Sequence, residues 1–204
     1  MRTKDFYIFR HGQTDLNAQG RWQGSGTDAL LNESGVSQAR KLREKIIERN
    51  FQLDKLYCSP MLRAVQTANI IADQDWHRLY YTVLYDLREC DFGEVEGLTF
   101  DESYQKYGKE FVDRFLFPTV DNWDAKFPQG ESKHEVFNRV KSCLKHIFQI
   151  NTWECDNRLG VVCHAGVISA LECGLGLKEV SYANCSVLHL RYDAEEGKFS
   201  QIFD

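Results

Sequence analysis

Two histidines stand at the ends of apolar runs that glycine cuts short: Phe6-Tyr7-Ile8-Phe9-Arg10-His11-Gly12 and Leu159-Gly160-Val161-Val162-Cys163-His164-Ala165-Gly166. A neutral imidazole is a nitrogen nucleophile that works near neutral pH. A neighbouring guanidinium offers planar, permanently charged donors that match phosphate oxygens. Arg10 and His11 together therefore point to phosphoryl transfer through histidine. Taken alone, the pair has a plainer reading, a surface cation beside a satisfied strand-end histidine.

Other residue types in the chain bear on that choice. Arg63 falls within the first turn of a helix that Ser59-Pro60 opens, with proline where its missing N–H costs least. A cation there opposes the helix dipole unless an anion lies alongside, which marks Arg63 as a phosphate ligand. Asp86, Glu89, Asp91, Glu94 and Glu96 crowd five carboxylates into one segment, and composition does not choose among them as a proton carrier. Asn17 and the Arg21-Trp22-Gln23-Gly24 run could offer an amide and backbone N–H groups to an anion, or simply be turn chemistry. Cys58, Cys90 and Cys163 lie near these motifs, but none has the local signature of an activated thiolate.

The elements that must position these groups follow from periodicity. Phe6–Phe9, Asp54–Cys58, Leu79–Leu84 and Leu159–Cys163 read as short strands, with final strands at Ser186–Tyr192 and Phe199–Phe203. The glycine-rich stretch Asp15–Thr27 reads as a long folded-back loop. Helices are expected from Asn32, as N-cap, to about Arg49; from Ser59-Pro60 through Ala72; from the Pro128–Ser132 turn to about Asn151; and from Val167 to about Leu175. Two short helices flank Gly108. Strands alternating with helices put Arg10 and His11 at a strand's C-terminal edge, where open α/β sheets bind ligands. The segment 100–127 mixes Tyr104, Tyr107, Phe111, Phe115, Phe117 and Trp123 with charges. It either caps a pocket or packs on the core, and its aromatics hint at a partly apolar or ring-containing leaving group.

Composition excludes several classes. At 204 residues, 43% hydrophobic and 27% charged, the chain suits one globular domain. A net charge of -5 and a pI near 5.7 argue against general nucleic-acid binding, though arginines gathered in one pocket can still take an anionic substrate. Seven cysteines at irregular spacing, with no C-x-x-C pair, fit a reduced intracellular chain rather than a disulfide framework or a zinc site. No stretch approaches membrane-span length and the N-terminal apolar run is too short for a signal peptide, so a cytoplasmic location with no membrane partner is expected.

Read in order, the motifs are Arg10-His11-Gly12-Gln13-Thr14 with Asn17, Leu31-Asn32-Glu33-Ser34-Gly35, Cys58-Ser59-Pro60 with Arg63-Ala64, Leu87-Arg88-Glu89 with Phe92-Gly93, Gly130-Glu131-Ser132, and Cys163-His164-Ala165-Gly166. Each is weak alone. As an ordered set covering nearly the whole chain, they resemble the histidine phosphatase superfamily, the group that contains the cofactor-dependent phosphoglycerate mutases.

The resemblance implies a three-layer α/β/α sandwich with a mostly parallel central sheet. It would form a single domain over 1–204 with a helical, lid-like insertion at about 100–130. It also implies His11 as the nucleophile that becomes phosphohistidine, Arg10, Arg63 and His164 as the positive pocket, and Glu89 as general acid/base. Asn17 and the backbone near Gln23, Gly24 and Ala165 would complete the phosphate cradle. Ala165 departs from the glycine common in the family, and would be strained if its φ were positive.

No metal or cofactor is called for, because the side chains supply the positive charge. A mutase must also bind the substrate's other anionic end. Here Lys106, Lys109, Arg114 and Lys126 are outnumbered by Asp101, Glu102, Glu110, Asp113, Asp121 and Asp124. Hydrolysis of a small phosphomonoester is therefore expected ahead of phosphoglycerate mutase or sugar bisphosphatase activity. A non-catalytic phosphate-binding or interaction module is the alternative of another class, and the oligomeric state, a homodimer included, is left open.

Overall fold

The apolar run Phe6–Phe9 lies inside a longer strand, β1 (Thr3–Arg10), whose side chains alternate between two separate cores. Phe6 and Ile8 join one, Tyr7 and Phe9 the other, which is why the run is continuously apolar rather than alternating. The computed structural model describes residues 3–48, 52–74, 77–151, 157–178 and 180–203.

In chain order the elements are β1, α1 (Asp15–Ala18), α2 (Glu33–Glu48), β2 (Lys55–Cys58), α3 (Leu62–Ala72), the small β3 (Asp73–Gln74) and β4 (His77–Arg78), and β5 (Tyr81–Val83). There follow α4 (Phe100–Tyr107), α5 (Lys109–Leu116), α6 (Lys133–Ile150), β6 (Arg158–Cys163), α7 (Ala165–Leu175), β7 (Val187–Asp193) and β8 (Lys198–Gln201). The main sheet has the order β5-β2-β6-β1-β7-β8. The first four of these strands run parallel, β7 pairs antiparallel with β1, and β8 pairs antiparallel with β7. Helices α2 and α3 bury Leu42, Ile46, Ala64, Ala68 and Ile71 on one face; α5, α6 and α7 bury Val112, Phe115, Val136, Leu144, Ile147 and Ile168 on the other. The expected three-layer α/β/α sandwich with a mostly parallel sheet is what the chain forms.

Several boundaries move, each for a local reason. The loop expected over Asp15–Thr27 contains α1, because Thr14 and Asn17 form a reciprocal capping box: Thr14 Oγ1 accepts from Asn17 N–H at 3.2 Å and Asn17 Oδ1 accepts from Thr14 N–H at 3.3 Å. Pro60 is not the first helical residue; α3 starts at Leu62 with Met61 as N-cap, and Arg63 stays in the first turn. Asn32 does cap α2, its Oδ1 accepting from Gly35 N–H at 2.8 Å. Helix α7 begins at Ala165, two residues earlier than expected, with His164 as N-cap. The strand expected over Leu79–Leu84 is trimmed to Tyr81–Val83, and the last two strands shift to Val187–Asp193 and Lys198–Gln201. Arg49, where α2 was expected to end, and Cys155 lie outside the described residues.

Candidate active site

Strands β1 and β6 are parallel neighbours in the sheet, with Arg10 opposite Cys163, so His11 and His164 leave the sheet side by side. Their ring centroids are 5.1 Å apart. On the other side of β6, β2 ends in register at Cys58 opposite Val162, which sets Ser59 beside His164. Ser59 Oγ lies 2.6 Å from His164 Nε2, and it also accepts from Met61 N–H at 3.3 Å.

His11 is only 2% exposed, yet it lines a cavity of about 410 Å³ at this sheet edge. Its Nδ1 is 2.7 Å from the carbonyl of Gly12. A carbonyl can only accept, so Nδ1 carries the hydrogen and Nε2 keeps its lone pair. Burial first, then the charges of Arg63 and Arg10, hold the His11 pKa well below the ordinary histidine value. Burial, with Arg63 next, does the same to His164. Both imidazoles are neutral at neutral pH, as a nitrogen nucleophile requires. Close backbone packing steadies the motif: a Cβ on Gly12 would meet the Gly35 carbonyl oxygen at 2.5 Å, and one on Gly35 would meet that of Gln13 at 2.1 Å. Asn184 Nδ2 donates to the His11 carbonyl at 3.1 Å.

Of the five crowded carboxylates, Glu89 is the one that reaches this cavity. Its Oε1 accepts from Cys90 N–H at 2.8 Å and its Oε2 from Gly166 N–H, in the first turn of α7, at 3.1 Å. The segment carrying it is clamped from behind. Arg139 donates to the carbonyls of Asp86, Arg88 and Glu89 at 2.6, 2.9 and 3.0 Å, and Glu131 anchors Arg139, Arg88 and the Asp91 N–H. Burial works to raise the Glu131 pKa, but Arg139 and the Asp91 N–H hold it below the usual carboxylate range. Asp91 itself holds Gly93 N–H, Glu94 pairs with Lys106, and Glu96 accepts from Gly26 and Phe92 N–H.

The other expected site residues divide between the cavity wall and the layer beneath it. Arg10, Asn17, Gln23 and Ala165 line the cavity. Arg10 donates to the Tyr182 carbonyl, and its Nε has no hydrogen-bond partner among the described residues. Gln23 Oε1 accepts from Thr14 Oγ1 at 2.7 Å and Asn17 Nδ2 at 3.4 Å, while its buried Nε2 has no partner among the described residues. Arg63 and His164 are fully buried. Arg63 is held by the carbonyls of Thr27, Gln23 and Gly24 and by Asp28, whose carboxylate also accepts from Leu62 N–H. Asp28 is thus an anion beside the misplaced cation at the start of α3.

Two expectations change here. Gly24 supports Arg63 through its carbonyl rather than offering an N–H to the cavity, and its packing is tight, with a Cβ there 2.0 Å from Glu96 Oε1. Ala165 is unstrained. The only described non-glycine residues with positive φ are Gln129 and Cys185, because Ala165 is the first residue of α7.

The family model of the histidine phosphatase superfamily, branch 1, matches residues 6–204. The chain belongs to that superfamily. A probable 2-carboxy-D-arabinitol-1-phosphatase of Arabidopsis thaliana is 32% identical over 191 residues, 91% of this chain and 37% of the plant protein. A 2,3-bisphosphoglycerate-dependent phosphoglycerate mutase of Bacteroides fragilis is 30% identical over 192 residues, 82% of this chain and 76% of the bacterial protein. The solved complex of mycobacterial glucosyl-3-phosphoglycerate phosphatase with VO3 has a TM-score of 0.81 at 26% identity, covering 98% of this chain and 97% of that one. The chain spans 29%, 37% and 38% of the length of three curated relatives it matches.

In this histidine phosphatase domain the segment 100–127 does both things expected of it. Phe100, Leu116 and Phe117 line the cavity. Phe115 and Phe127 instead turn inward and pack edge-on or tilted with Trp22, Phe92, Tyr107 and Phe111, so most of the aromatics are core rather than a surface for a leaving group. All four of its cations are engaged: Lys106 with Glu94 at 3.7 Å, Lys109 with Asp113, Arg114 with Glu110 at 3.0 Å and Lys126 with Glu135 at 2.9 Å. Cys58, Cys90 and Cys163 are buried thiols, which argues against an activated thiolate. Burial pushes the Cys58 thiol up to about 12, and raises Cys90 and Cys163 as well. Sequence reasoning passed over Ser59 as a partner of His164, Arg139 as the clamp on the Glu89 segment, and Lys133 and Ser169 in the cavity wall.

Proposed function

We propose that this chain is a phosphomonoester hydrolase acting on a small phosphorylated metabolite through a phosphohistidine at His11, with Glu89 as general acid/base. The observation that carries it is the 2.7 Å bond from His11 Nδ1 to the Gly12 carbonyl, which leaves Nε2 as a lone pair at the wall of a cavity also lined by Arg10 and Glu89. In the first step Nε2 bonds to phosphorus and the ester P–O bond breaks, while protonated Glu89 gives its proton to the leaving oxygen. In the second, water attacks phosphorus, the P–N bond breaks, and the Glu89 carboxylate takes the water's proton. Arg10 and Arg63 spread the charge that builds on the equatorial oxygens, so neither step needs a metal.

Hydrolysis is favoured over phosphoryl isomerisation by the state of the lid cations. A bisphosphate needs positive charge beyond the phosphoryl pocket, and Lys106, Lys109, Arg114 and Lys126 are each paired with a carboxylate. The test is phosphate release from an aryl phosphate in excess chelator, comparing the intact protein with His11→Ala, together with an acid-stability assay for phosphohistidine. Release by the intact protein alone, with an acid-labile phosphoprotein, is expected. Isomerisation of 3-phosphoglycerate without net hydrolysis, or turnover by His11→Ala, would overturn the proposal.

A further inference from the structure

A second cavity, of about 640 Å³, lies between α2, β1 and β7 and takes no part in the phosphoryl chemistry. Its lining is largely apolar, with Phe9, Leu42, Ile46 and Leu188 among the buried residues. Val187 and Phe203, also in its wall, are 45% and 66% exposed. The strap 180–186 is a wall that the two cavities share: Asn184 lines both, while Cys185 lines this one and Tyr182 the catalytic one.

The charge around this cavity is of one sign. Lys41 and Lys45 line it from one flank of α2, a single turn apart, and both are exposed. Among the described residues neither stands in an ion pair, although Glu44 and Glu48 follow them three residues on, and Arg43 between them reaches Asp73 at 3.8 Å. The chain has 30 Asp and Glu residues, yet among the described residues none lines this cavity. The one histidine in the wall, His189, already has Asp5 at 3.2 Å and stacks on Tyr7. An apolar hollow with two free ammonium groups at its edge is complementary to a molecule with an apolar body and a negative end. Its volume is that of a small-molecule site, for which about 300–1,000 Å³ is usual. A second copy of the chain is a poor occupant, because a two-fold contact through this face would set the same two lysines against each other.

We infer that this cavity is a second ligand site, separate from the catalytic one, for a small amphipathic anion whose apolar body fills the hollow and whose acidic group meets Lys41 and Lys45. The site stands independently of the hydrolase reading. It bears on the catalytic cavity through the shared strap: Asn184 Nδ2 donates to the His11 carbonyl at 3.1 Å, and Cys185 N–H reaches the carbonyls of Arg10 and His11 at 3.2 and 3.3 Å. A ligand here therefore packs against the backbone that holds the two residues of the first motif.

The test uses a matched pair of fluorescent probes, 8-anilinonaphthalene-1-sulfonate and N-phenyl-1-naphthylamine, which share their rings and differ in the sulfonate. Fluorescence titration of the folded protein should give one site per chain and an affinity for the sulfonate about tenfold the higher, the scale of two solvent-facing ion pairs. Added salt should weaken the sulfonate and leave the neutral probe unchanged. The double variant Lys41→Gln/Lys45→Gln should bind both probes equally and keep the intact protein's aryl phosphatase rate, since neither lysine belongs to the catalytic cavity. Both positions are exposed, and circular dichroism confirms that the variant is folded. Equal affinity for the two probes, or an undiminished preference in the double variant, would overturn the site. Displacement of the sulfonate by submillimolar orthovanadate at constant ionic strength would place it in the catalytic cavity and overturn the site as well. Loss of probe binding as the protein self-associates at higher concentration would assign this face to a second copy and overturn it too.

Discussion

Gly166→Ala separates the placement of Glu89 from its presence. A Cβ built on Gly166 would lie 2.3 Å from Glu89 Oε1 and 3.1 Å from its Cδ, with Cys90 Cβ at 3.2 Å. Nearly all of that conflict falls on the end of a side chain rather than on backbone, so the fold should accept the methyl group and the carboxylate should give way. Restoring ordinary contact moves Oε1 by about 1 Å, given that van der Waals separations between heavy atoms are about 3.5 Å. The shift also strains the 3.1 Å bond from Gly166 N–H, which with Cys90 N–H fixes the carboxylate's direction. A misplacement of about 1 Å costs on the order of 100-fold, and general acid catalysis as a whole contributes about 10²–10⁴. We therefore expect Gly166→Ala to lower kcat on an alkyl phosphate about 100-fold, with overpacking costing about 1–3 kcal/mol of stability. An aryl phosphate with an acidic phenol as leaving group should suffer much less in the first step, because it departs without a proton. The measurement is single-turnover phosphoryl transfer to His11 with both leaving groups. Equal losses on the two would show that Gly166 acts on the pocket generally and that Glu89 is not the proton donor.

Three further outcomes follow from the same geometry. His11 and His164 have folded-state pKa values below the unfolded histidine value, so they contribute stability above about pH 6.5 that is lost as pH falls toward their folded values. Thermal melting across this range should show Tm falling on acidification below that point, and a Tm that rises there would contradict the neutral buried pair. Because His11 stays unprotonated below the ordinary histidine range, single-turnover phosphoryl transfer to it should show no acid limb near pH 6.5; a loss of rate centred there would mean an exposed, ordinary imidazole. Arg139→Met removes the donor that three backbone carbonyls share, so it should lower kcat with KM little changed and cost about 1–3 kcal/mol for each carbonyl left without a partner; an unaltered kcat would show that the Glu89 segment holds its own shape.

The sequence carried the chemistry of the site further than its boundaries. His11 and His164 could be matched because both follow apolar runs of strand length, and a buried parallel strand is written as such a run. That their strands are neighbours, with Arg10 opposite Cys163, is a fact of strand order and is set by long-range packing. Arg63 was legible because a cation in a first turn is locally unfavourable; Asp28, which relieves it from 35 residues away, was not. Glu89 could be named only by resemblance, because what distinguishes it from Asp86, Asp91, Glu94 and Glu96 is its place in the cavity wall and a backbone N–H bond from α7, both set by distant parts of the chain. Lys133 left no local trace at all. It follows a capping serine in a polar stretch where a lysine is ordinarily solvated, and its burial comes from Phe92 and Phe115, which are remote in sequence.

The placement of the arginines also bears on how His11, as the proposed nucleophile, would be kept ready. A phosphate ester entering the cavity brings negative charge to His11 and, alone, would favour its protonation and so block attack. Arg10 and Arg63 oppose this, since their charges add to burial in holding the His11 pKa down, Arg10 from the cavity wall and Arg63 from the buried layer behind it. A lysine at either position would deliver similar charge without the fork that fixes it: the two terminal nitrogens of Arg63 donate to the carbonyls of Gln23, Gly24 and Thr27 and to Asp28, so its charge is held in one place. On the proposed reading, nucleophile and anion pocket are one unit, in which burial keeps the His11 imidazole neutral and the guanidinium charges reinforce it.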